Sequence, residues 1–137
     1  MYTVNDVSER LNLSKHTIRY YTDQGLIPNL QRDKNNNRIF DDASLNWLIG
    51  VRYLKNCGMS IQDIREYNQL CLLGDSTIDE RFDIILKQKA LAEEQLLEAQ
   101  KRYKYLEDKL ELYEKIKNRQ HTDTANPDKW PVNQVTV

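Results

Sequence analysis

The chain has 137 residues, 30% of them charged and 39% hydrophobic, with only 4 Gly and 3 Pro, a profile that favours helix in one or two small domains and is short for an enzyme with a deep pocket. No apolar run is long enough to cross a bilayer and no export signal precedes the first motif, so a cytoplasmic location away from the membrane is expected, with the two cysteines as free thiols. Net charge is −1, but residues 1–58 hold 8 Lys+Arg against 6 Asp+Glu while the remainder holds 12 against 15, and that small excess does not exclude a nucleic-acid partner, which needs only a few local cations.

Thr3 is placed to cap a first helix whose apolar face is Val4, Val7 and Leu11, at the 3.6-residue period. Ser14 caps a second, from Lys15 to about Gln24, which Gly25 closes just beyond its end. The turn between them, Asn12-Leu13-Ser14, is so short that the two helices must cross steeply, as in a helix-turn-helix. After Leu26-Ile27-Pro28, extended pieces around Leu30–Arg32 and Arg38–Phe40 flank the polar turn Asp33-Lys34-Asn35-Asn36-Asn37, which predicts a small β-hairpin, or wing. Asp42 is expected to cap a third helix through Leu45, Leu48, Ile49 and Leu54 to Cys57, stopped by Gly58. Ser60 caps a fourth, with Ile61, Ile64, Tyr67, Leu70 and Cys71 along one side, ending near Gly74.

From Ile78 the pattern changes. Ile78, Phe82, Ile85, Lys89, Ala92, Leu96, Ala99, Tyr103, Leu106, Leu110 and Tyr113 recur at steps of four and three without a break. Such a seam, about five heptads and ~55–60 Å long, cannot be buried by one helix alone and outruns the surface a small N-terminal domain offers. It predicts a coiled coil, most simply with a second copy, in which Ala92, Leu96, Ala99, Tyr103, Leu106 and Leu110 form the dimerisation seam. Lys89, its one polar residue, is placed to fix register. Beyond about Gln120 periodicity is lost and a flexible tail is expected. The domain reading is therefore 1–74 for a winged helix-turn-helix with linking helices, 75–118 for the coil and 119–137 for the tail.

A search for catalytic motifs finds none: no metal-ligand spacing, phosphate-binding glycine loop, nucleophile elbow or dinucleotide fingerprint, and only two histidines, His16 and His121. No enzyme, metal site or cofactor is expected. The second helix carries chemistry of another kind. Ile18 and Tyr21, three apart, face the first helix, while Lys15, His16, Arg19 and Tyr20 project from the other side with Thr17 at the helix start. The N-terminal half of such a helix enters the DNA major groove, where Lys15 and His16 reach base edges and Arg19 offers a fork to phosphate or guanine. Tyr20 suits packing on sugar and a hydrogen bond to phosphate.

The stretch HTIRYYTDQGLIP, followed by NNNRIF and LKNCGMSIQDI, resembles the MerR family of bacterial transcriptional regulators, in order from residue 1 to about 116. The resemblance implies an all-α fold with a small β-hairpin wing, in which the long helix forms an antiparallel coiled coil with a second copy. It implies that the homodimer binds double-stranded promoter DNA at an inverted repeat and distorts an overlong spacer so that RNA polymerase can engage. By position it implicates Arg19, Tyr20, Arg38 in the wing, and Arg52 and Lys55 late in the third helix as DNA contacts, and Tyr21 as a contact in some relatives.

The metal-responsive, iron–sulfur and multidrug-binding branches of that family require cysteines or an appended domain that this chain lacks; YNQLCLLGDSTIDER resembles the compact branch responsive to aldehydes and other electrophiles. In that branch the reactive cysteine aligns with Tyr53 here, leaving Cys57 and Cys71 as candidate sensors of a small electrophile. Against that, free cysteine is often simply buried, and Cys57 falls at a helix C-terminus that disfavours a thiolate, although Arg52 and Lys55 nearby favour one. A coiled-coil scaffold whose winged domain binds protein accounts equally for the coil, but not for a cationic face on the second helix.

Overall fold

The computed structural model describes residues 1–131. A first compact unit, Met1–Ala92, contains in order β1 (Tyr2–Thr3), α1 (Val4–Leu11), α2 (Lys15–Asp23), β2 (Gln31–Arg32), β3 (Arg38–Phe40), α3 (Asp42–Asn56), α4 (Ile61–Leu73), a 3-10 turn (Gly74–Thr77) and the first turns of α5 (Ile78–Lys117).

Caps set the element boundaries. The Thr3 hydroxyl accepts from the Asp6 amide at 3.1 Å while the Asp6 carboxylate accepts from the Thr3 amide at 2.9 Å, a reciprocal box that starts α1. Asn12, at φ +52°, ends that helix, and the Ser8 hydroxyl donates to the Leu13 carbonyl to tie the turn. Ser14 and Ser60 cap α2 and α4 by accepting from the amides of Thr17 and Asp63. Gly25, at φ +72°, lets the Leu26 amide turn back onto the Tyr21 carbonyl, a conformation that a side chain would strain.

One expectation needs correction and another is extended. The N-cap of α3 is Asp41 rather than Asp42: β3 ends at Phe40, so Asp41 still has extended backbone, and its carboxylate accepts from the Ser44 amide at 2.7 Å. Asp42 is the first helical residue and accepts from the Tyr2 hydroxyl. The hairpin, in turn, is two strands of a three-stranded antiparallel sheet ordered β1-β3-β2, with Tyr2 opposite Phe40, Thr3 opposite Ile39, and Arg32 opposite Arg38. Two residues leave no alternation for the sequence to show, and the extended backbone of Thr3 serves as strand end and helix cap together.

The core gathers Val7, Ile18, Leu26, Phe40, Leu48, Val51, Met59 and Ile64, all almost fully buried. Each such aliphatic side chain contributes about 1.5–3 kcal/mol on removal from water. The contributors come from α1, α2, the loops after α2 and α3, β3, α3 and α4, so one core fixes the helix-turn-helix, the wing and both linking helices. Ile84 packs against it from the start of α5, which is how this unit extends past the 3-10 turn.

The second unit, Glu93–Val137, holds the rest of α5, where every residue through Glu111 is exposed in the single chain. After Lys117 the segment expected to be a flexible tail contains a short 3-10 turn, Pro127–Lys129, capped by Asn126, and the Trp130 indole donates to the Thr124 carbonyl at 2.8 Å. The remainder of that expected tail, 132–137, lies outside the described residues.

Candidate nucleic-acid interface

Helix α2 has two chemically opposite faces. Ile18 is fully buried and Tyr21 is 9% exposed, while Lys15, His16, Arg19 and Tyr20 are exposed on the other side. Burial raises the Tyr21 phenol above its ordinary value, with a smaller contribution from Tyr20. Thr17 is half-buried at the helix start, where it receives the Ser14 hydroxyl at 2.8 Å. The structure therefore gathers Lys15, His16, Arg19 and Tyr20 on one open surface and places Tyr21 in the core.

The turn of the wing is tied by its own hydrogen bonds. Asp33 accepts from the amides of Asn37 and Asn35, each at 2.9 Å, and from the Asn37 side chain, and the Asn37 backbone bond chiefly holds its carboxyl below the usual carboxylate range. Arg32 donates to the Asn36 carbonyl across the turn. Between wing, Arg19 and the start of α1 lies a polar cleft of about 370 Å³ that includes Asn5, Asn36, Asn37 and Arg38.

Arg38, Arg52 and Lys55 occupy different positions from the open face of α2. Arg38 Nε donates to the Thr22 hydroxyl at 2.8 Å and its Nη2 to Asp23 Oδ1 at 2.6 Å, so the side chain links β3 to the last turn of α2. Arg52 Nη1 donates to the Leu11 carbonyl at 2.8 Å, closing the C-terminus of α1 from α3. Lys55 Nζ reaches the Met59 carbonyl at 3.3 Å. Cys57 is exposed at the C-cap of α3. Cys71 is half-buried on α4 beside Tyr67, whose phenol is raised first by burial and then by that thiol. Among the described residues no cluster of His, Cys, Asp and Glu is arranged to hold a metal ion, and no helix is long and apolar enough to cross a membrane.

Sequence reasoning missed two features. Arg65 and Asn68 of α4 bond to the joint after α2, and nothing in the local pattern marks them, because their partners lie 41 and 42 residues away. An apolar cleft of about 490 Å³ opens between α3 and α4, lined by Trp47, Gly50, Tyr53, Leu54, Tyr67 and Asn68. Tyr67, read from the sequence only as part of the apolar side of α4, is one of its walls, and Tyr53 of α3 is another.

Residues 2–70 match the family model described as MerR HTH family regulatory protein. An HTH-type transcriptional regulator of Haemophilus influenzae is 38% identical over 116 residues, covering 85% of this chain and 86% of that protein. The transcriptional regulator AdhR of Bacillus subtilis is 32% identical over 82 residues, 60% of this chain and 59% of that one. Among solved structures, HiNmlR, described as a MerR family regulator lacking the sensor domain and bound to promoter DNA, superposes with a TM-score of 0.75 at 38% identity, covering 85% of this chain and 93% of its own. A MerR family regulator from Bacillus thuringiensis gives 0.71 at 36% identity, covering 80% and 96%.

Proposed function

Because the chain belongs to the MerR family of helix-turn-helix regulatory proteins, and so is a DNA-binding transcriptional regulator and not an enzyme, we propose that it reads an inverted-repeat promoter operator as a homodimer through α2 and the wing. The observation that carries this reading is the division of α2, with Lys15, His16, Arg19 and Tyr20 open to solvent and Ile18 and Tyr21 locked in the core. In this arrangement Lys15 and His16 meet base edges, and Arg19 and Tyr20 fix the helix on the backbone. Arg38 holds the wing at a set distance from α2, so both elements engage the duplex as one surface.

In the same reading α5 pairs antiparallel with that of a second copy, which sets the spacing of the two half-sites, and the dimer regulates by distorting the promoter spacer where RNA polymerase binds. The effector is a small electrophile taken by Cys57, the exposed thiol, with Cys71 as the alternative acceptor. Cys57→Ser should bind operator as the parent does and lose the transcriptional response to reactive aldehydes or quinones; a full response in that variant excludes Cys57.

The deciding experiment is a titration of the chain on DNA from its own upstream region, at two salt concentrations, against a scrambled duplex. Specific binding to an inverted repeat, weakened steeply by salt, is the expected result. Equal affinity for both duplexes would refute the operator reading and favour a winged domain that binds protein.

A further inference from the structure

The segment between recognition helix and wing is held from outside by α4. Gln24 is the C-cap of α2, and carbonyls at a helix C-terminus have no donors within the helix. Arg65 fills that gap: its Nε donates to the Gln24 carbonyl at 2.9 Å and its Nη2 to Gln24 Oε1 at 3.2 Å. A third donor, Nη1, goes to Gln62 Oε1 at 2.8 Å, which orients the guanidinium from its own helix. One turn along, the buried Asn68 donates through Nδ2 to the Leu26 carbonyl at 3.0 Å. Gly25, whose backbone makes the turn, sits between the two gripped carbonyls. From the wing, Arg38 bonds Thr22 and Asp23.

From this geometry we infer that Arg65 and Asn68 are positioning residues for operator reading: they hold α2 at a fixed angle to the wing, although neither lies on the surface assigned to DNA. The inference rests on the reading of α2 as the recognition helix. Local chain connectivity does not fix that angle, because Gly25 is the residue with the widest backbone freedom and it stands at the hinge. A two-point grip, on the carbonyls before and after the glycine, restricts that freedom further than the local Leu26–Tyr21 backbone bond and the buried Leu26 and Ile27 do alone. The DNA surfaces of α2 and wing are then presented together, and their binding terms add without an ordering cost at association. Asn68 also lines the apolar cleft between α3 and α4, so one side chain belongs both to the cleft wall and to the grip on the joint after α2.

The test uses the full chain in two measurements. In hydrogen exchange without DNA, Arg65→Ala should speed the Gly25 and Leu26 amides by about tenfold while core amides of α3 keep their protection. On operator DNA, Arg65→Ala should lose about tenfold in affinity with the same slope of affinity against salt, since no phosphate contact is removed, and Arg65→Lys, which keeps the charge but not the fork, should recover only a minor part of the loss. Gln62→Ala, which removes the brace together with an exposed bond to Glu66 on the same helix, should show both effects in smaller degree and keeps the test open if Arg65→Ala does not fold. Unchanged exchange, or unchanged operator affinity, overturns the inference; a shallower salt slope also overturns it, by making Arg65 itself a phosphate contact. Arg19→Ala run beside these variants separates the two levels. If it too leaves operator binding intact, the placement of the recognition helix has failed, and with it the positioning role.

Discussion

Tyr20 and Tyr21 hold their ring centroids 6.1 Å apart at an interplanar angle of 47°, yet one ring is 45% exposed and the other 9%. Adjacent helical residues point about 100° apart, so one tyrosine can lie in the core while its neighbour faces solvent. Tyr21→Ala should open a cavity against Ile18 and α1 and cost about 2–4 kcal/mol in a denaturant or thermal melt. Tyr20→Ala should leave the melt within roughly 0.5 kcal/mol and weaken operator binding instead, with Tyr20→Phe losing about 1 kcal/mol of affinity through the hydroxyl alone. A normal melt for Tyr21→Ala combined with lost binding would put both rings on the duplex.

Arg52 illustrates where local sequence stops being informative. Its place late in α3 reads as a basic surface position, yet its guanidinium closes the C-terminus of α1, 41 residues earlier. Arg52→Ala should therefore lower stability by about 1–2 kcal/mol, the cost of leaving the Leu11 carbonyl without its charged donor. The salt dependence of operator binding should keep its slope. A slope shallower by about one would show that Arg52 also neutralises a phosphate.

The same contrast runs through the whole fold. Thr3, Ser14, Ser60 and Gly25 were legible because a cap or a left-handed turn depends on residues within four positions. The exposed face of α2 was legible because helical period alone separates Ile18 and Tyr21 from Arg19 and Tyr20. Strand β1 was not, being two residues long, and neither was the choice between Asp41 and Asp42, since both carry the same capping carboxylate and only the end of β3 decides between them. Arg38, Arg65 and Asn68 needed the tertiary arrangement, because their partners are selected by packing of distant elements.

Capping carboxylates give the unit a specific response to acid. Asp41 is held below the ordinary value of 3.8 first by the Ser44 amide, and Asp6 by that of Thr3. A depressed folded pKa contributes stability that is present above the unfolded value and lost as pH falls through the folded one. The melting temperature should thus drop below about pH 4, where the unfolded chain takes up protons before the folded chain does. Asp41→Asn keeps an oxygen that can accept from the Ser44 amide but no longer titrates. Its melting temperature should fall less steeply over the same pH range, as followed by circular dichroism; an identical curve would assign the acid response to other groups.

Helix α5 supplies the remaining test. Its 40 residues span ~60 Å at 1.5 Å per residue, and along the seam Leu96, Tyr103, Leu106 and Leu110 are each more than 60% exposed in the single chain. Water in contact with so regular an apolar stripe makes an unpartnered helix unfavourable, and a second copy offers the same stripe at the same spacing. Leu96→Asp or Leu106→Asp would place a carboxylate in that seam without a partner, at a desolvation cost that neighbouring leucines cannot offset. Each variant should sediment as a monomer at concentrations where the parent is a dimer, with the spectrum of the winged unit retained. Operator affinity should collapse toward that of a single half-site, because the second recognition helix is no longer delivered with the first. If both variants remain dimeric, α5 does not form the dimer seam, and the spacing of half-sites must be set by another surface.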